Sequence, residues 1–283
     1  MATKKEKTSV EEIMEKSGNG FHTRVANLLR EQGWSVLVSP YYNDNFSDKP
    51  REIDIIAEKK FETRAIFDDF LGFVNVRLFI ECKYINGDTV FWFEPKDKAR
   101  AIVRTRKDTG LDEPRVDPTI NKHHYLTDVP VAKLFDSGRG EEKEVINKAI
   151  NQSLNAEIFY RGNTDSIAPK THYQERTLRR VPYPLIVVNS LERFHRATTG
   201  GDNSTTPITE PFQLEVNYAY IDKDKNAQSE YFLIDVVGID QLPAFLAGIE
   251  ASDVGAIKNK ISWDEGRRRS QESQRQSGNK SAW

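Results

Sequence analysis

EIDIIAEKK (52–60) and VRLFIECKY (76–84) are the two short segments that decide how this chain of 283 residues is interpreted. Both are typical of β-strands, because branched and aromatic residues dominate them. Each carries charge where a buried strand would be apolar: Asp54 lies in the first, and Glu81 and Lys83 lie in the second. A carboxylate in such surroundings must be paired, bound to a metal or placed at the end of its strand.

The spacing of these charges predicts a common site. Glu81 and Lys83 are two residues apart, so their side chains point to the same face of a strand. If the two strands are neighbours, Asp54 joins them there. Two carboxylates beside one ammonium group favour a hard divalent cation such as Mg2+, and the backbone carbonyl of Cys82 can supply a further oxygen ligand. A structural ion pair at a strand end is the alternative interpretation.

Such a cluster suits the hydrolysis of phosphodiesters. The metal would polarise the phosphate and lower the pKa of water, while Lys83 orients that water or stabilises the developing charge. The chain contains no Gly-rich phosphate loop and no nucleophile elbow, so a small-molecule enzyme has little support.

The arrangement resembles the PD-(D/E)xK nuclease superfamily, whose pattern is an acidic residue on one strand and acid-x-lysine on the next. Here the pattern reads Asp54, then Glu81-Cys82-Lys83. The stretch GNGFHTRVANLLREQGWSV (18–36) is similar to the opening helix and first strand of the family, particularly in members of the Mrr and Holliday-junction-resolvase type. The resemblance covers residues 18–95.

The resemblance implies an α/β, restriction-endonuclease-like fold with a mixed central sheet flanked by helices. It also implies a metal-dependent endodeoxyribonuclease that leaves a 5′-phosphate and a 3′-hydroxyl. Asp54, Glu81 and the Cys82 carbonyl would hold Mg2+, for which Mn2+ can substitute, and Lys83 would assist the attacking water. The expected partner is nucleic acid, with DNA preferred, and many relatives act as homodimers with one site per strand.

The chain departs from the family pattern at two positions. Where the family often has a glutamate on the first helix, Phe21 is followed by His22, which is either an accessory ligand or a structural residue. Ile53 stands in place of the proline. Gln152 is a further accessory candidate, with exposure at the surface as its alternative. The change at His22 supports a second hypothesis, a catalytically inactive module of the same fold that binds nucleic acid or a protein partner.

Charge is distributed unevenly along a chain of net charge -2. The segment 96–107 has six basic residues and one acid, and the segment from 258 to the end has seven and three. Contacts to phosphate position a nucleic acid without reading its bases, although a solvated surface explains the same charges. The candidate contacts in the first segment are Lys96, Lys98, Arg100, Arg104 and Arg106.

Composition limits the remaining possibilities. No apolar run approaches the ~18 residues of a membrane span, and the charged N-terminus lacks the apolar segment of a secretory signal. A single cysteine excludes a disulfide framework and a cysteine-rich zinc site. A cytoplasmic location is therefore expected.

We expect one mixed α/β domain without an internal linker. Its predicted parts are a helical or flexible N-terminal extension (1–17), a nuclease domain with insertions (18–262) and a disordered basic tail (263–283). Helical periodicity is clearest over 141–160, and buried strands are predicted at 183–190 and later in the chain. The adjacent histidines in NKHHY (121–125) are interpreted as loop residues.

Overall fold

The structure is a computed structural model that describes residues 18–65, 68–110, 122–138, 140–161, 165–169, 176–198 and 204–280, with side chains to residue 272. A ten-stranded mixed sheet runs through this part of the molecule, and helices flank it. The predicted α/β class with a large mixed central sheet is confirmed. The predicted N-terminal extension (1–17) lies outside the described residues.

The described helices are α1 (Gly18–Glu31), α2 (Lys98–Thr109), α3 (Gly140–Tyr160), α4 (Leu242–Ile249) and α5 (Gly255–Lys280). The strands are β1 (Ser35–Val38), β2 (Tyr41–Asn43), β3 (Pro50–Glu52), β4 (Ile55–Arg64), β5 (Phe70–Lys83), β6 (Thr89–Glu94), β7 (Val131–Ser137), β8 (Thr177–Val188), β9 (Phe194–Thr198), β10 (Thr206–Pro207), β11 (Phe212–Ile221) and β12 (Ala227–Gly238). Short 3-10 turns cover His124–Leu126 and Ile239–Gln241, and a π-helical segment covers Glu250–Val254. None of these helices has the length and apolar content needed to cross a membrane.

The strand order in the large sheet is β1-β4-β5-β8-β12-β11-β7-β6-β9-β10, and β2 pairs with β3 separately. β4 and β5 are antiparallel, with Ile55 opposite Ile80, whereas β5 runs parallel to β8. β5 therefore lies inside the sheet and is buried from residue 72 to residue 82. Burial on both faces explains why its sequence is almost continuously apolar.

The alternation of side chains along β5 separates two faces of the core. Ile80 and Cys82 belong to a cluster with residues of α1 and α4, such as Val25 and Leu246. Phe79 faces the other side, in a small cluster that includes Ala156 of α3. The strands of the predicted site are thus held between helices on both faces.

Local signals in the sequence explain where helices begin and end. α1 ends before Gly33, which adopts φ 80°, and the N–H of Trp34 donates to the Leu29 carbonyl at 3.0 Å. This is the glycine-terminated helix end expected from the sequence. α2 begins after Asp97, whose side chain accepts from the Arg100 N–H at 3.1 Å.

The C-terminal segment differs from the prediction. Instead of becoming disordered at 263, the chain continues as α5 to Lys280. Glu265 pairs with Arg268 and Arg269 one helical turn later, and such pairs stabilise the part of the helix that follows its buried start. Arg269 also pairs with Asp69 at 2.5 Å, which fastens this part of the helix to the turn before β5.

Candidate active site

The strand pairing places Asp54 beside Glu81. Asp54 immediately precedes β4, whose first residue, Ile55, is opposite Ile80, so Asp54 lies where β4 begins and beside the last residues of β5. The N–H of Asp54 donates to Glu81 Oε1 at 3.3 Å, and the N–H of Cys82 donates to Asp54 Oδ2 at 2.8 Å. Backbone groups of each segment therefore bind a carboxylate of the other.

Lys83 completes this cluster. Its Nζ lies 2.6 Å from Glu81 Oε2 and 3.6 Å from Asp54 Oδ2. The Glu81 side chain is fully buried, whereas the Lys83 and Asp54 side chains are each 15% exposed. The expected neighbouring strands are confirmed, and the three charged side chains meet at one point that solvent reaches. Their catalytic roles remain predictions.

The pKa values of the two carboxyl groups in this cluster shift in opposite directions. Burial and the nearby Asp54 carboxylate raise the pKa of Glu81 to about 8, despite the ammonium group of Lys83. Burial also opposes ionisation of Asp54, but the His22 hydrogen bond and the Lys83 charge outweigh burial and lower the pKa of Asp54. The pKa of Lys83 is raised, because Glu81 and Asp54 outweigh the effect of burial. Below about pH 8 Glu81 therefore holds a proton, while Asp54 and Lys83 carry opposite charges, and a bound cation would displace that proton.

Cys82 presents different groups to the two sides of this site. Its thiol is buried on the opposite face from Glu81, and burial raises the pKa of the thiol well above its ordinary value. Its N–H points past the end of β4 towards Asp54. Because the N–H and C=O of one residue point to the same edge of a strand, its carbonyl faces that edge too.

His22 lies in the site. Its Nε2 atom is 2.7 Å from Asp54 Oδ2, and its side chain is 14% exposed. The neighbouring Phe21 is buried in the core and meets the ring of Tyr84 edge-to-face at 6.4 Å, which fixes the start of α1 next to β5. The contact with Asp54 brings His22 into the site, and its function as an accessory ligand stays a prediction.

Gln152 supports the segment that leads to Asp54. Its Nε2 donates to the Glu52 carbonyl at 2.9 Å, and its backbone carbonyl accepts from the Tyr42 hydroxyl at 3.3 Å. Gln152 thereby connects α3 to the backbone two residues before Asp54. These contacts give it a positioning function in this structure.

Two of the predicted phosphate contacts are structural, which corrects the sequence interpretation. Lys96 is buried and donates to the carbonyls of Tyr125 and Thr127 at 2.9 and 3.1 Å, and burial lowers its pKa to about 8. Arg104 is buried too, and its guanidinium group pairs internally. Its partners are Asp108, Glu157 and Glu230. Neither cation is free to reach a nucleic acid.

The other three candidates are on accessible positions of α2. Lys98 and Arg100 are exposed, and Arg106 is half-buried. Lys98 pairs with Asp128, and the guanidinium of Arg100 lies 4.9 Å from the centre of the Tyr231 ring. Their proposed contact with phosphate stays a prediction.

The sequence interpretation missed a buried histidine–aspartate network. His124 bonds through Nδ1 to Asp253 and through Nε2 to Asp235, at 3.1 Å from its Oδ2. Burial lowers the pKa of His124, but the two carboxylates outweigh it and raise the value to about 10. The neighbouring His123 is buried, which lowers its pKa to about 4. The adjacency of His123 and His124 is visible in the sequence, but nothing local links them to either aspartate.

Comparison with protein-family models, curated proteins and solved structures gave no match for this chain. The assignment of a function therefore depends on the residues and geometry described above.

Proposed function

We propose that this protein is a divalent-metal-dependent endonuclease of the restriction-endonuclease-like fold, and that it hydrolyses phosphodiester bonds in DNA. The observation that carries the proposal is the convergence of Asp54, Glu81 and Lys83 at the ends of two adjacent strands. Two carboxylates and an ammonium group gathered at the ends of two apolar strands are costly for stability. A site that performs chemistry explains that cost.

The residues fit a hard cation such as Mg2+ or Mn2+. Asp54, Glu81 and the carbonyl of Cys82 offer oxygen ligands on the same edge, which is the donor type that Mg2+ prefers. Because the pKa of Glu81 is raised to about 8, binding of a cation there would release a proton at neutral pH. When bound, the metal supplies polarisation of the phosphate and acidification of water.

The side chains have separate functions in this proposal. Lys83 is close enough to both carboxylates to direct a proton of the attacking water or to stabilise charge on the phosphate. The N–H of Cys82 and the imidazole of His22 hold the Asp54 carboxylate in place. Water would form a new bond to phosphorus while the bond from phosphorus to the 3′-oxygen breaks, and the 3′-oxygen takes a proton; this leaves the 5′-phosphate and 3′-hydroxyl that the family resemblance implies. A homodimer would place one such site on each strand of a duplex.

The test is cleavage of supercoiled and linear DNA with Mg2+ or Mn2+, comparing the wild type with Asp54→Ala and Lys83→Ala. Loss of a group that acts in proton transfer lowers rates by roughly 10²–10⁴-fold, and we expect both variants to lose at least the lower amount. Circular dichroism checks that each variant is folded. Lys59→Ala is the matched control. Lys59 lies on β4, but its Nζ forms a partly exposed pair with Glu250, at 3.1 Å, outside the candidate site.

The alternative function predicts a different outcome. If the wild type binds DNA in a salt-sensitive manner but cuts neither DNA, RNA nor junction substrates with either metal, the nuclease proposal is wrong. The inactive binding module would then be the better description. Equal cleavage by Lys83→Ala and the wild type would contradict the assigned site.

A further inference from the structure

A second set of donor atoms surrounds Asp54, on the face of the sheet that carries α1. A ring nitrogen of His22, a carboxylate oxygen of Asp54 and the Sγ atom of Cys82 all lie within 4.8 Å of one another. They come from α1, from the residue before β4 and from β5. This set shares Asp54 with the oxygen donors described above, but adds a nitrogen and a sulfur.

The chemistry of these donors differs from that of the oxygen set. Mg2+ prefers oxygen, whereas imidazole and thiolate select Zn2+ and similar transition metals. Zn2+ sites that keep a position open for solvent or substrate typically use three protein ligands. We propose that His22, Asp54 and Cys82 form a Zn2+-binding site with an open fourth position.

The geometry is close to that of a tetrahedral site. Zn–N and Zn–O distances of about 2.0–2.1 Å and a Zn–S distance of about 2.3 Å place the ligand atoms roughly 3.3–3.7 Å apart. His22 Nε2 and Asp54 Oδ2 are 2.7 Å apart, and the other pairs are within 4.8 Å. The His22–Asp54 pair therefore has to open by roughly 0.6 Å, from 2.7 Å to about 3.3 Å, to admit the ion.

The surroundings hold two of the three ligands in place while leaving a path for the ion. The Cys82 N–H bonds Asp54, and the Cys82 thiol is buried in the core cluster that includes Phe21 of α1. The His22 and Asp54 side chains are 14% and 15% exposed, so the site opens to solvent. The competing explanation is that Cys82 only fills space in the core. That explanation gives the thiol no part in metal binding.

Zinc binding here does not require the proposed nuclease activity. Because Asp54 belongs to both donor sets, Zn2+ would withdraw it from the set that holds Mg2+, and Zn2+ would then inhibit cleavage that depends on Mg2+. Binding itself is measured by a spectrum, so failure of the nuclease proposal and failure of the zinc proposal are distinguishable.

The experiment uses Co2+ as a spectroscopic probe on the full, metal-stripped chain in a thiol-free reductant. Cys82 is the only cysteine in the sequence, so a sulfur-to-cobalt charge-transfer band in the near ultraviolet reports this residue alone. We expect one Co2+ per chain to produce the band and Zn2+ to remove it. Cys82→Ser should abolish the band.

His22→Gln provides the second test, because it keeps the thiol. We expect the Co2+ affinity measured from the band to fall by more than tenfold, since even residues outside the ligand set are worth roughly 10–100-fold. His195→Gln is the matched control, because this histidine lies on β9 and pairs with Asp88. Its titration should match that of the wild type.

Two results would overturn the zinc proposal. The first is a folded wild type that shows no sulfur-to-cobalt band. Co2+ bound by His123, His124 and Asp253 would give no such band, because that group contains no sulfur, so this result would also contradict the proposal. The second is a band of unchanged affinity in His22→Gln.

Discussion

The Oδ2 atom of Asp54 is the point on which the candidate site converges. It accepts from the Cys82 N–H at 2.8 Å and lies 2.7 Å from His22 Nε2 and 3.6 Å from Lys83 Nζ. These groups come from α1 and β5, and together they keep Asp54 ionised although burial opposes its charge. A fixed, ionised carboxylate is ready for a cation without further rearrangement.

Glu81 should show a conflict between stability and activity. Its folded pKa of about 8 exceeds the ordinary value of 4.5, so the metal-free fold loses stability as the pH rises from 4.5 to 8. We expect Glu81→Gln to remove this loss and to raise the free energy of unfolding above pH 8, on the order of 0.5–2 kcal/mol. The same variant should not cleave DNA. Urea titrations at several pH values measure the effect, which should shrink towards pH 4.5.

Glu58 is the matched control for this prediction. It is a buried residue of β4, and its Oε2 atom accepts from Nη2 and Nε of Arg77, on β5, at 2.7 and 2.9 Å. Glu58→Gln leaves a buried guanidinium group without its charged partner and should destabilise the fold by about 3–5 kcal/mol. If Glu81→Gln destabilises the fold to the same degree, Glu81 and Lys83 are a structural ion pair, as the alternative interpretation of the sequence holds.

Among the elements, the π-helical segment at Glu250–Val254 has a clear structural consequence. Its wider turn carries the buried Asp253 to His124, and the Tyr183 hydroxyl also donates to Asp253, at 2.9 Å. Tyr125 donates similarly to Asp235 at 2.9 Å. The two aspartates and the imidazolium between them join the C-terminal helices to the sheet.

This network predicts a pH-dependent stability. The folded pKa of His124 is about 10 and its ordinary value is 6.5, so its contribution is complete below pH 6.5 and is lost as the pH rises towards 10. His124→Gln should therefore lower the free energy of unfolding by about 3 kcal/mol at pH 6, and the difference from the wild type should shrink by pH 10.

The measurement is chemical denaturation of the wild type and His124→Gln across this pH range. His195→Gln serves as the control, because its pair with Asp88 is more exposed and should contribute less than about 1 kcal/mol. A difference for His124→Gln that stays constant with pH would show that the imidazole is neutral in the folded protein.

At the level of the whole molecule, the burial of Lys96 and Arg104 leaves fewer cations on the surface that could bind a nucleic acid. If the proposed function is correct, the accessible side chains of Lys98, Arg100 and Arg106 bind phosphate groups. Replacing all three by alanine should then reduce the slope of log affinity against log salt by up to about 0.9 for each phosphate of duplex DNA that is no longer neutralised. Fluorescence anisotropy at several salt concentrations measures this slope.

Arg104 differs from these three accessible cations of α2, because it is buried. Its partners are internal, so Arg104→Ala should destabilise the fold, since it leaves the buried Glu157 with Arg161 as its remaining cationic partner and takes the ion pair away from Asp108. A triple variant with unchanged salt dependence would show that α2 does not contact the nucleic acid.

The order of the sheet follows only partly from sequence. The apolar pattern predicts a strand over 76–84, but β5 begins at Phe70, and the predicted strand over 183–190 begins at Thr177 as β8. The long helix predicted over 141–160 matches α3 to within one residue at its start. Apolar periodicity marks the middle of an element well, whereas its ends depend on which neighbouring strands supply hydrogen bonds.

The sequence by itself determined the α/β class and the meeting of Asp54 with Glu81 and Lys83. These follow from short-range patterns: a charge inside an apolar run, and two side chains two residues apart on one strand. His22 was a weaker candidate from the same kind of evidence. Its contact with Asp54 depends on how α1 packs against β5.

The tertiary structure alone decided which polar groups are buried and which partners they have. His124 meets Asp235 and Asp253 across 111 and 129 residues of sequence, and Lys96 and Arg104 turn inward although their segment is strongly basic. Burial and pairing over such separations depend on the packing of whole elements. A local pattern of charge or periodicity cannot predict these contacts, because they form only when the helices pack on the sheet.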